Sequence, residues 1–322
     1  MKPPTPNRPH TGQPPEGETY LVSQNLQVGV CGALAYDTIA QTVERLFAGD
    51  AFQHNCKVSD FTEALGGCGA NIAYNLSLLG VGTSVFAMSG TDDDTGLLDQ
   101  LSNYGVDTVG VLRMKESRSA RAFIFTDPSS EQFTAFFPGA WTEVGTDEVD
   151  LWQAHLEAKL PPNLNCLIQA PLHPDLMVTT LAKTTAELVV TSPGQFCYQL
   201  DADQALALAH HSHFLVGNKD EVTYLRKLLG THSAKIIETD GPRDVQIHQD
   251  GGQTRVSVPQ VSAESTVDPT GCGDAFLAGF AARLLADAVD IEQAVRQGIL
   301  LAQSCLACTG AMRHDLPEVL KV

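Results

Sequence analysis

Short apolar runs alternate with longer stretches of helical periodicity along most of the chain. Gln27–Ala33 is predicted as the first central strand, Thr83–Met88 as another strand, and Thr95–Tyr104 as a helix. Further strands, with helical patterns between them, are predicted at Cys166–Pro171, Glu187–Thr191, His213–Gly217 and Ala234–Thr239. Strands that alternate with helices form parallel sheets. The pattern therefore predicts an α/β fold, with a doubly wound, mostly parallel sheet and helices on both faces.

Two hairpins are predicted from β-rich runs that flank turn residues. The first joins Arg121–Asp127 to Glu131–Phe137, and the second lies within Asp244–Val261. The first hairpin shows no polar face, which predicts that both of its faces are covered. A small sheet over an active site would fit this pattern, and so would a sheet edge at a subunit contact.

A glycine-rich turn precedes a predicted amphipathic helix near residue 70. Gly66, Gly67 and Gly69 allow the backbone to approach a ligand closely. Asn71 stands at the start of the helix, which is predicted to end at Gly80. Its side chain is either the N-cap of the helix or an amide that binds a substrate hydroxyl.

A second glycine-bearing turn opens a helix within Asp268–Phe276. Gly271 and Gly273 let several backbone N–H groups point in one direction, and the helix N-terminus adds positive potential, so the turn suits an anion. Asp274 would repel an anion, but it could accept a proton from a hydroxyl while the amides hold developing negative charge. This layout suits phosphoryl transfer to an alcohol. The alternative is an ordinary loop-to-helix junction, with Asp274 favoured by the helix dipole.

Polar residues follow several of the predicted strands, at the edge of the sheet where ligands gather. Asp37 follows the first strand and is either a ligand contact or a turn cap. Asn218 and Glu221, three positions apart, form a helix capping pair, a site for hydrated Mg²⁺, or both. Thr239 and Gly241 suit a nucleotide phosphate or base edge.

Composition narrows the classes of partner. The chain has 322 residues, and its 20 Lys and Arg against 38 Asp and Glu give a formal charge of −18, which disfavours nucleic acid as a partner. No apolar run reaches membrane-spanning length and the N-terminus lacks the apolar segment of a secretory signal, so we expect a cytoplasmic protein with no membrane partner. Residues 1–26 are predicted to be a flexible tail. Residues 27–322 show no break that would mark a second domain.

The eight cysteines are scattered, and their even number is interpreted as chance rather than as a disulfide framework. Cys305 and Cys308 form the one close pair, for which packing in a small-residue helix is favoured over metal or redox chemistry. His210, His211 and His213 are dense enough to bind a metal, but they are interpreted as a polar helix end before a strand.

These motifs, in this order, resemble the signatures of the ribokinase-like (PfkB) carbohydrate and nucleoside kinases. The run from Gly66-Gly67 through Asn71 to Gly80 resembles their N-terminal signature, Asp268–Phe276 their C-terminal signature, and Asn218–Glu221 their metal motif. The resemblance covers nearly all of residues 27–310. Segments 32–39, 66–76 and 136–140 are further similar to the bacterial adenosine kinases.

The resemblance implies a role for each matching position. Asp274 would accept the proton of a 5′-hydroxyl, and the amides of Gly271, Cys272 and Gly273 would form the anion hole for the transferred phosphoryl group. The residues implied to bind the acceptor are Asp37, Gly66, Gly67, Asn71, and Phe123 or Phe136 as a stacking surface for adenine. The residues implied to bind ATP are Asn218, Thr239, Gly241, Thr270, Gly271 and Gly273. Asn218 and Glu221 would hold Mg²⁺ through water, and segments at about 38–62 and 113–140 would form a lid.

The leading hypothesis is therefore an ATP-dependent kinase that phosphorylates the 5′-hydroxyl of a nucleoside, with adenosine giving AMP. The implied cofactors are ATP as co-substrate, Mg²⁺ and a monovalent cation such as K⁺, and the implied assembly is a monomer or homodimer. A sugar kinase acting on ribose or fructose, and a catalytically silent ligand-binding relative, are the alternatives. The intact turn with Asp274 argues against the silent relative.

The chain also departs from the family pattern. Pro242, Arg243 and Asp244 follow Gly241 where many members carry another glycine, so the ATP contacts of that turn are in question. Pro269 and Cys272 replace the usual threonine and alanine of the C-terminal signature. Residues 191–194 stand where related kinases often place an aspartate.

Overall fold

The computed structural model describes residues 26–48, 51–52, 55–92, 96–129, 131–141, 144–249, 251–262, 266–286 and 290–320. Apart from Leu26, the predicted tail lies outside these ranges. The described strands are β1 (Gln27–Cys31), β2 (Ala35–Thr42), β3 (Phe47–Ala48), β4 (Ala51–Phe52), β5 (Val58–Gly66), β6 (Gly82–Gly90), β7 (Asp107–Met114), β8 (Ala120–Thr126), β9 (Gln132–Phe137), β10 (Leu164–Gln169), β11 (Ala186–Thr191), β12 (Phe214–Asn218), β13 (Ile236–Asp240), β14 (Arg243–Gln249) and β15 (Gly252–Val256). The described α-helices are α1 (Cys68–Leu78), α2 (Leu97–Asn103), α3 (Thr146–Lys159), α4 (Pro174–Lys183), α5 (Ala202–His211), α6 (Lys219–Leu229), α7 (Cys272–Ala286) and α8 (Ile291–Leu306).

In the described part of the chain the main sheet has nine strands, in the order β15-β14-β13-β12-β11-β10-β1-β6-β7. The strands from β13 to β7 are parallel to one another, whereas β14 and β15 form an antiparallel hairpin at one edge. The predicted parallel sheet and the predicted second hairpin are therefore confirmed. Strand β1 lies between β10 and β6, so the strand order reverses at β1. In open α/β sheets, ligands bind beyond the carboxyl end of the strand at such a reversal.

Helices cover both faces of the main sheet, as predicted. Buried residues of α1, α2, α7 and α8 form one core with the sheet, and those of α3, α4, α5 and α6 form the other. Phe276 and Phe280 of α7 stack in the first core, and Trp152 of α3 is fully buried in the second. Each helix contributes an apolar face to one side of the sheet, which is why both faces of the central strands are apolar.

A second sheet, here named the small sheet, has the strand order β5-β2-β8-β9. Strands β2 and β8 are parallel, and the other two pairs are antiparallel, which confirms the hairpin of β8 and β9. Phe133, Phe136 and Phe137 of β9, the edge strand, are 38–39% exposed. The described chain by itself therefore does not cover both faces of this hairpin, and cover by a ligand or a second subunit stays a prediction.

Two helix starts differ from the prediction. Helix α1 begins at Cys68 with Gly67 as its N-cap, so Asn71 lies within the first turn and the interpretation of Asn71 as the N-cap is wrong. The sequence predicts that helix α7 begins at Asp274, whereas the helix begins at Cys272, so Asp274 lies in its first turn. Helix α5 ends at His211, and the His213 ring accepts a hydrogen bond from the Val189 N–H at 2.9 Å. Among the described helices, none combines the length and apolarity that crossing a membrane requires.

Candidate active site

Helix α1 begins at the carboxyl end of β1, where the Gly69 N–H donates to the Ala33 carbonyl at 2.9 Å. Helix α7 begins next to α1, since Asn71 and Asp274 are hydrogen-bonded. The turn before α7 therefore lies at the same strand end.

Gly271 adopts a φ of +80°, and a Cβ at this position would lie 2.2 Å from the Cβ of Ala311, so only glycine fits. Gly273 is exposed, and a Cβ there would meet no atom within 4 Å. The turn is therefore closed on the side of Gly271, where Ala311 lies, and open on the side of Gly273, from which an anion can approach.

Not every predicted amide points toward that opening. The Cys272 N–H donates to the carbonyl of Pro269 at 3.2 Å. The proposed anion hole consequently rests on the amides of Gly271 and Gly273, with the positive end of α7 behind them.

Asp268 anchors this turn, a role that the sequence motif by itself does not reveal. The residue is 3% exposed, and its carboxylate accepts hydrogen bonds from the Thr270 N–H at 2.9 Å and the Gly310 N–H at 2.8 Å. Gln132 of β9 also donates to Asp268, at 3.3 Å. An aspartate that bonds the backbone two positions ahead is a common turn pattern, but the contacts with Gly310 and Gln132 are visible only in the folded chain.

Asp274, in the first turn of α7, meets the first turn of α1. The Asn71 side-chain N–H donates to the Asp274 carboxylate at 2.8 Å, across 203 positions of sequence. The Cys68 thiol also donates to this carboxylate. The Asn71 Oδ1 atom is buried without a hydrogen-bond partner. Since a buried acceptor without a partner is costly, Oδ1 is placed to accept a hydrogen bond from a ligand hydroxyl.

Asp37 lies on β2, in the small sheet, and its carboxylate rests against Gly66. A Cβ on Gly66 would lie 1.9 Å from the Asp37 Oδ2 atom. Gly67 has a φ of +86°, and a Cβ there would come within 2.6 Å of the Ala33 carbonyl oxygen. These glycines therefore make room for the Asp37 carboxylate and for the strand beside it, which brings Asp37 close to Asp274.

Burial and neighbouring charge make the carboxyl groups unusually weak acids. Burial raises the pKa of Asp274 to about 6, against the lowering effect of its hydrogen bonds with Asn71 and Cys68. Burial, together with the charges of Asp274 and Asp268, raises the pKa of Asp37 to about 7. Burial and the Asp274 charge raise the pKa of the Cys68 thiol, which stays a hydrogen-bond donor. The Asp274 carboxylate is thus more basic than an ordinary aspartate and is ready to accept a proton near neutral pH.

The register of the small sheet separates the two candidate stacking residues. Asp37 pairs with Ala122, and Ala122 pairs with Phe136, so Phe136 shares the face that Asp37 presents. Phe123 is the next residue after Ala122 and lies on the opposite face. The prediction that Phe123 stacks on the acceptor does not fit this register. The Phe136 ring packs 5.6 Å from the ring of Trp141, which orders it beside the site.

Asn218 and Glu221 form the predicted capping pair at the start of α6. The Asn218 side chain accepts hydrogen bonds from the Asp220 and Glu221 N–H groups at 3.0 Å each, and the Glu221 Oε2 atom accepts the Asn218 N–H at 2.9 Å. Burial raises the pKa of Glu221. These bonds use the Asn218 oxygen twice, so Glu221 is the better of the two residues for a metal-bound water. Its carboxylate is near enough to Asp274 to raise the pKa of that group.

Thr239 pairs with Asn218 across β13 and β12, which places the two predicted ATP contacts side by side. The Thr239 hydroxyl donates to the Gly217 carbonyl at 3.4 Å, and Gly241 has a φ of +57°. Asp240 between them forms ion pairs with Arg243 and Lys219. The residues after Gly241, where many family members carry another glycine, thus place the positively charged Arg243 at the end of β13.

Comparisons with known proteins agree with this geometry. A model of the pfkB family of carbohydrate kinases matches residues 26–318. A nucleoside kinase of Methanocaldococcus jannaschii is 28% identical over 226 residues, which cover 67% of this chain and 70% of that protein. Probable fructokinase-7 of Arabidopsis thaliana is 26% identical over 284 residues, which cover 80% and 82%.

Solved structures share the fold. The crystal structure of a Methanocaldococcus jannaschii nucleoside kinase, described as an archaeal member of the ribokinase family, is similar with a TM-score of 0.74 and 23% identity, covering 90% of this chain and 94% of that chain. A Burkholderia thailandensis nucleoside kinase in complex with inosine has a TM-score of 0.75 and 25% identity, covering 89% and 93%.

The match to the pfkB family and the similarity to nucleoside kinases show a phosphotransferase that acts on a hydroxyl group, and a carboxylate beside a glycine turn at a helix N-terminus suits that chemistry. The chain belongs to the pfkB family of carbohydrate kinases, and its fold is ribokinase-like. ATP is its co-substrate, and its acceptor is a nucleoside or a sugar.

Proposed function

We propose that this protein transfers the γ-phosphoryl group of ATP to the 5′-hydroxyl of a nucleoside, with adenosine as the leading acceptor and AMP as the product. The observation that carries the proposal is the Asp274 carboxylate, which Asn71 holds at the open side of the turn and which Asp37 faces from the small sheet. The similarity to nucleoside kinases, one of which was solved with inosine, supports a nucleoside acceptor.

Asp274 would accept the proton of the attacking hydroxyl. An alcohol is a weak nucleophile, so a carboxylate within hydrogen-bond reach assists its attack on the phosphorus atom. The Asn71 amide fixes the carboxylate, and the raised pKa of Asp274 brings its basicity nearer to neutral pH. The amides of Gly271 and Gly273 would stabilise the negative charge of the transferred phosphoryl group.

Asp37 and Asn71 would bind the ribose hydroxyls. The Asp37 carboxylate accepts hydrogen bonds, and the unpartnered Asn71 Oδ1 atom accepts another. Phe136 would stack on the base from the same face of the small sheet. Together these contacts would align the 5′-hydroxyl with Asp274 and displace competing water.

Mg²⁺ and a monovalent cation such as K⁺ stay predictions for this chain. The Glu221 carboxylate suits a hydrated Mg²⁺, which keeps several of its waters. When bound with ATP, Mg²⁺ would offset charge on the phosphate oxygens. Thr239 and Gly241 at the neighbouring strand end would contact the nucleotide.

An acceptor panel tests the proposal. Purified protein with Mg-ATP is incubated with adenosine, inosine, other nucleosides, ribose and fructose, and ADP release is measured for each. We expect adenosine to give the highest kcat/KM. Turnover with a sugar alone would favour the fructokinase-like alternative, and turnover with none would favour a binding role.

Replacing Phe136 with leucine should lower kcat/KM for nucleosides about tenfold, since stacking of a base on an aromatic ring contributes about 1–3 kcal/mol. Ribose, which has no base, should be affected little. Phe123→Leu is the matched control, because both residues are 38% exposed but lie on opposite faces of the small sheet. Steady-state kinetics on the two variants check the result, and equal losses in both would contradict stacking by Phe136.

The pH dependence should follow the buried carboxyl groups. Because Asp274 must be ionised to accept a proton, turnover should fall as the pH drops through about 6. The Asn71 amide and the Cys68 thiol both lower the pKa of Asp274, so Asn71→Leu and Cys68→Ala should each move this acid limb to higher pH. Cys68→Ser keeps a donor and is the control. A pH profile of kcat at saturating acceptor makes the measurement, and an acid limb at the same pH in all four proteins would refute the assignment.

A further inference from the structure

A buried chain of hydrogen bonds leads from the C-terminal segment, residues 307–320, to Asp274. The His314 Nε2 atom lies 2.9 Å from the Asn75 Oδ1 atom, across 239 positions of sequence. The Asn75 side-chain N–H donates to the Asn71 carbonyl oxygen at 2.8 Å, and the Asn71 side chain donates to the Asp274 carboxylate. His314, Asn75 and Asn71 are each no more than 3% exposed. The segment after α8 is therefore linked to the candidate base through buried side chains.

The partners of Asn75 fix the form of His314. A carbonyl oxygen only accepts hydrogen bonds, so the Asn75 amide nitrogen faces Asn71 and the amide oxygen faces His314. The amide oxygen also only accepts, so the proton of the neutral imidazole is on Nε2. The Nδ1 atom is buried and has no hydrogen-bond partner within the described chain, so a proton on Nδ1 would have no acceptor. Burial lowers the pKa of His314 to about 4, and His314 is therefore neutral at the pH at which Asp274 ionises.

Asn75 restrains the part of α1 that carries Asn71. The two residues are one helical turn apart, so the Asn75 side-chain N–H adds to the backbone hydrogen bond that a helix makes to the Asn71 carbonyl oxygen. The N-cap of α1 is Gly67, and it supplies no side-chain hydrogen bond to the first turn. Asn75 therefore provides the restraint that a side-chain cap usually provides, and the direction of the Asn71 side chain depends on it.

The C-terminal segment holds α1 and the glycine turn at the same time. The Tyr74 hydroxyl donates to the His314 carbonyl oxygen at 2.6 Å, and the two rings meet edge-on with their centroids 5.5 Å apart. In the same segment, the Gly310 N–H donates to Asp268, the anchor of the turn, at 2.8 Å. This segment thus sets the position of α1 relative to the turn that carries Asp274.

We propose that His314 is a positioning residue for phosphoryl transfer, which holds Asn75 and through it keeps the Asn71 amide on the Asp274 carboxylate. The inference rests on the proposed function of Asp274 as the base. Without the imidazole N–H, the Asn75 oxygen would be buried without a donor, which is costly, so the Asn75 side chain would turn and release the Asn71 carbonyl. The hydrogen bond between Asn71 and Asp274 would then weaken, and Asp274 would hold its proton more tightly.

The test follows the ionisation of Asp274 in the protein without substrate. Asparagine is labelled with ¹⁵N, and the resonance of the Asn71 side-chain amide, identified by its loss in Asn71→Leu, is recorded as the pH is varied. We expect a midpoint near pH 6 in the wild type. In His314→Leu the midpoint should lie about half a unit to one unit higher, the effect of weakening one hydrogen bond to a charged group. The acid limb of the pH profile of kcat should move by the same amount.

Four further variants separate positioning from simple packing. His314→Gln keeps an N–H donor toward Asn75 and should keep the wild-type midpoint. Tyr74→Phe removes only the hydroxyl that bonds the His314 carbonyl, so it is the milder variant and should raise the midpoint by less than His314→Leu. Leu320→Ala removes buried apolar atoms from the same segment, so it should lower the melting temperature and leave the midpoint unchanged. In an Asn71→Leu background, His314→Leu should cause no further shift of the acid limb of kcat.

Three results would overturn the inference. The first is a midpoint at the wild-type pH in both His314→Leu and Tyr74→Phe. The second is an equal rise of the midpoint in Leu320→Ala, and the third is a further shift of the acid limb when His314→Leu is added to Asn71→Leu. The Asn71 resonance reports on Asp274 without turnover, so a failure of the proposed kinase activity is distinguishable from a failure of the positioning role.

Discussion

Asp274→Asn is expected to lower turnover by about 10²–10⁴-fold, the range that a positioned general base contributes, while the protein stays folded. Asparagine has the shape of aspartate, and its oxygen can still accept the hydrogen bond from the Asn71 amide, which is 2.8 Å from the Asp274 carboxylate. The variant lacks only the ability to take up the hydroxyl proton. Steady-state kinetics with saturating ATP and acceptor measure the effect.

The same variant should be at least as stable as the wild type at pH 8. The pKa of Asp274 is raised to about 6 in the folded protein from 3.8, so the ionised form is disfavoured by folding. That cost is absent below about pH 4, grows as the pH rises, and is fully present above about pH 6. Thermal unfolding should therefore show an advantage for Asp274→Asn at pH 8 that shrinks toward pH 4.

Asp201→Asn is the matched control for this experiment. Asp201 caps α5, and asparagine caps a helix as well as aspartate does. The turnover and the stability of Asp201→Asn should equal those of the wild type. Turnover of Asp274→Asn at the wild-type rate would rule out Asp274 as the base, whatever the stability result.

Asp37→Asn is expected to raise the KM for the acceptor about 10²-fold, since a hydrogen bond to a charged group contributes about 1.5–3 kcal/mol and the carboxylate is proposed to bind ribose hydroxyls. The KM for ATP should change little. The variant should also be more stable at pH 8, because the pKa of Asp37 is raised from 3.8 to about 7 in the folded protein. This advantage should disappear below about pH 4.

Two further variants make the Asp37 result specific. Gly66→Ala inserts a Cβ where the Asp37 carboxylate now lies, so it should raise the acceptor KM without removing a charge. Asp60→Asn, on the exposed part of β5, removes a charge from the same small sheet and should leave the acceptor KM unchanged. An unaltered acceptor KM in both Asp37→Asn and Gly66→Ala would exclude Asp37 from the acceptor site.

Much of the site was predictable because its motifs are local. The turn from Asp268 to Asp274 carries its own glycines and its own helix start, and Asn218 with Glu221 forms a capping pair within four positions. The same spacing of an amide and a carboxylate serves both helix capping and metal binding, so the sequence alone does not separate these two roles of the pair. The folded chain shows the capping bonds directly, and the metal role stays a prediction.

The remaining features depend on contacts between distant segments. Phe123 and Phe136 look equivalent along the chain, and only the pairing of β2, β8 and β9 decides that Phe136 shares a face with Asp37. In the same way, the sequence suggests Cys308 as the neighbour of Cys305, whereas the packing of α8 against α7 brings the Cys305 sulfur to 3.4 Å from the Thr270 carbonyl oxygen. Strand register and helix packing are set by the whole core, so no local pattern reveals them.

The sequence by itself determined the alternation of strands and helices, the parallel sheet, and the turn in which Asp274 follows two glycines, because periodicity and glycine placement act through neighbouring residues. The tertiary structure alone decided that Asp274 meets Asn71 and Asp37, that Asp268 ties the turn to Gly310, and that burial raises the pKa of Asp274 and Asp37. The physical reason is that a pKa depends on the solvent and charges that a side chain loses and gains when distant segments pack together.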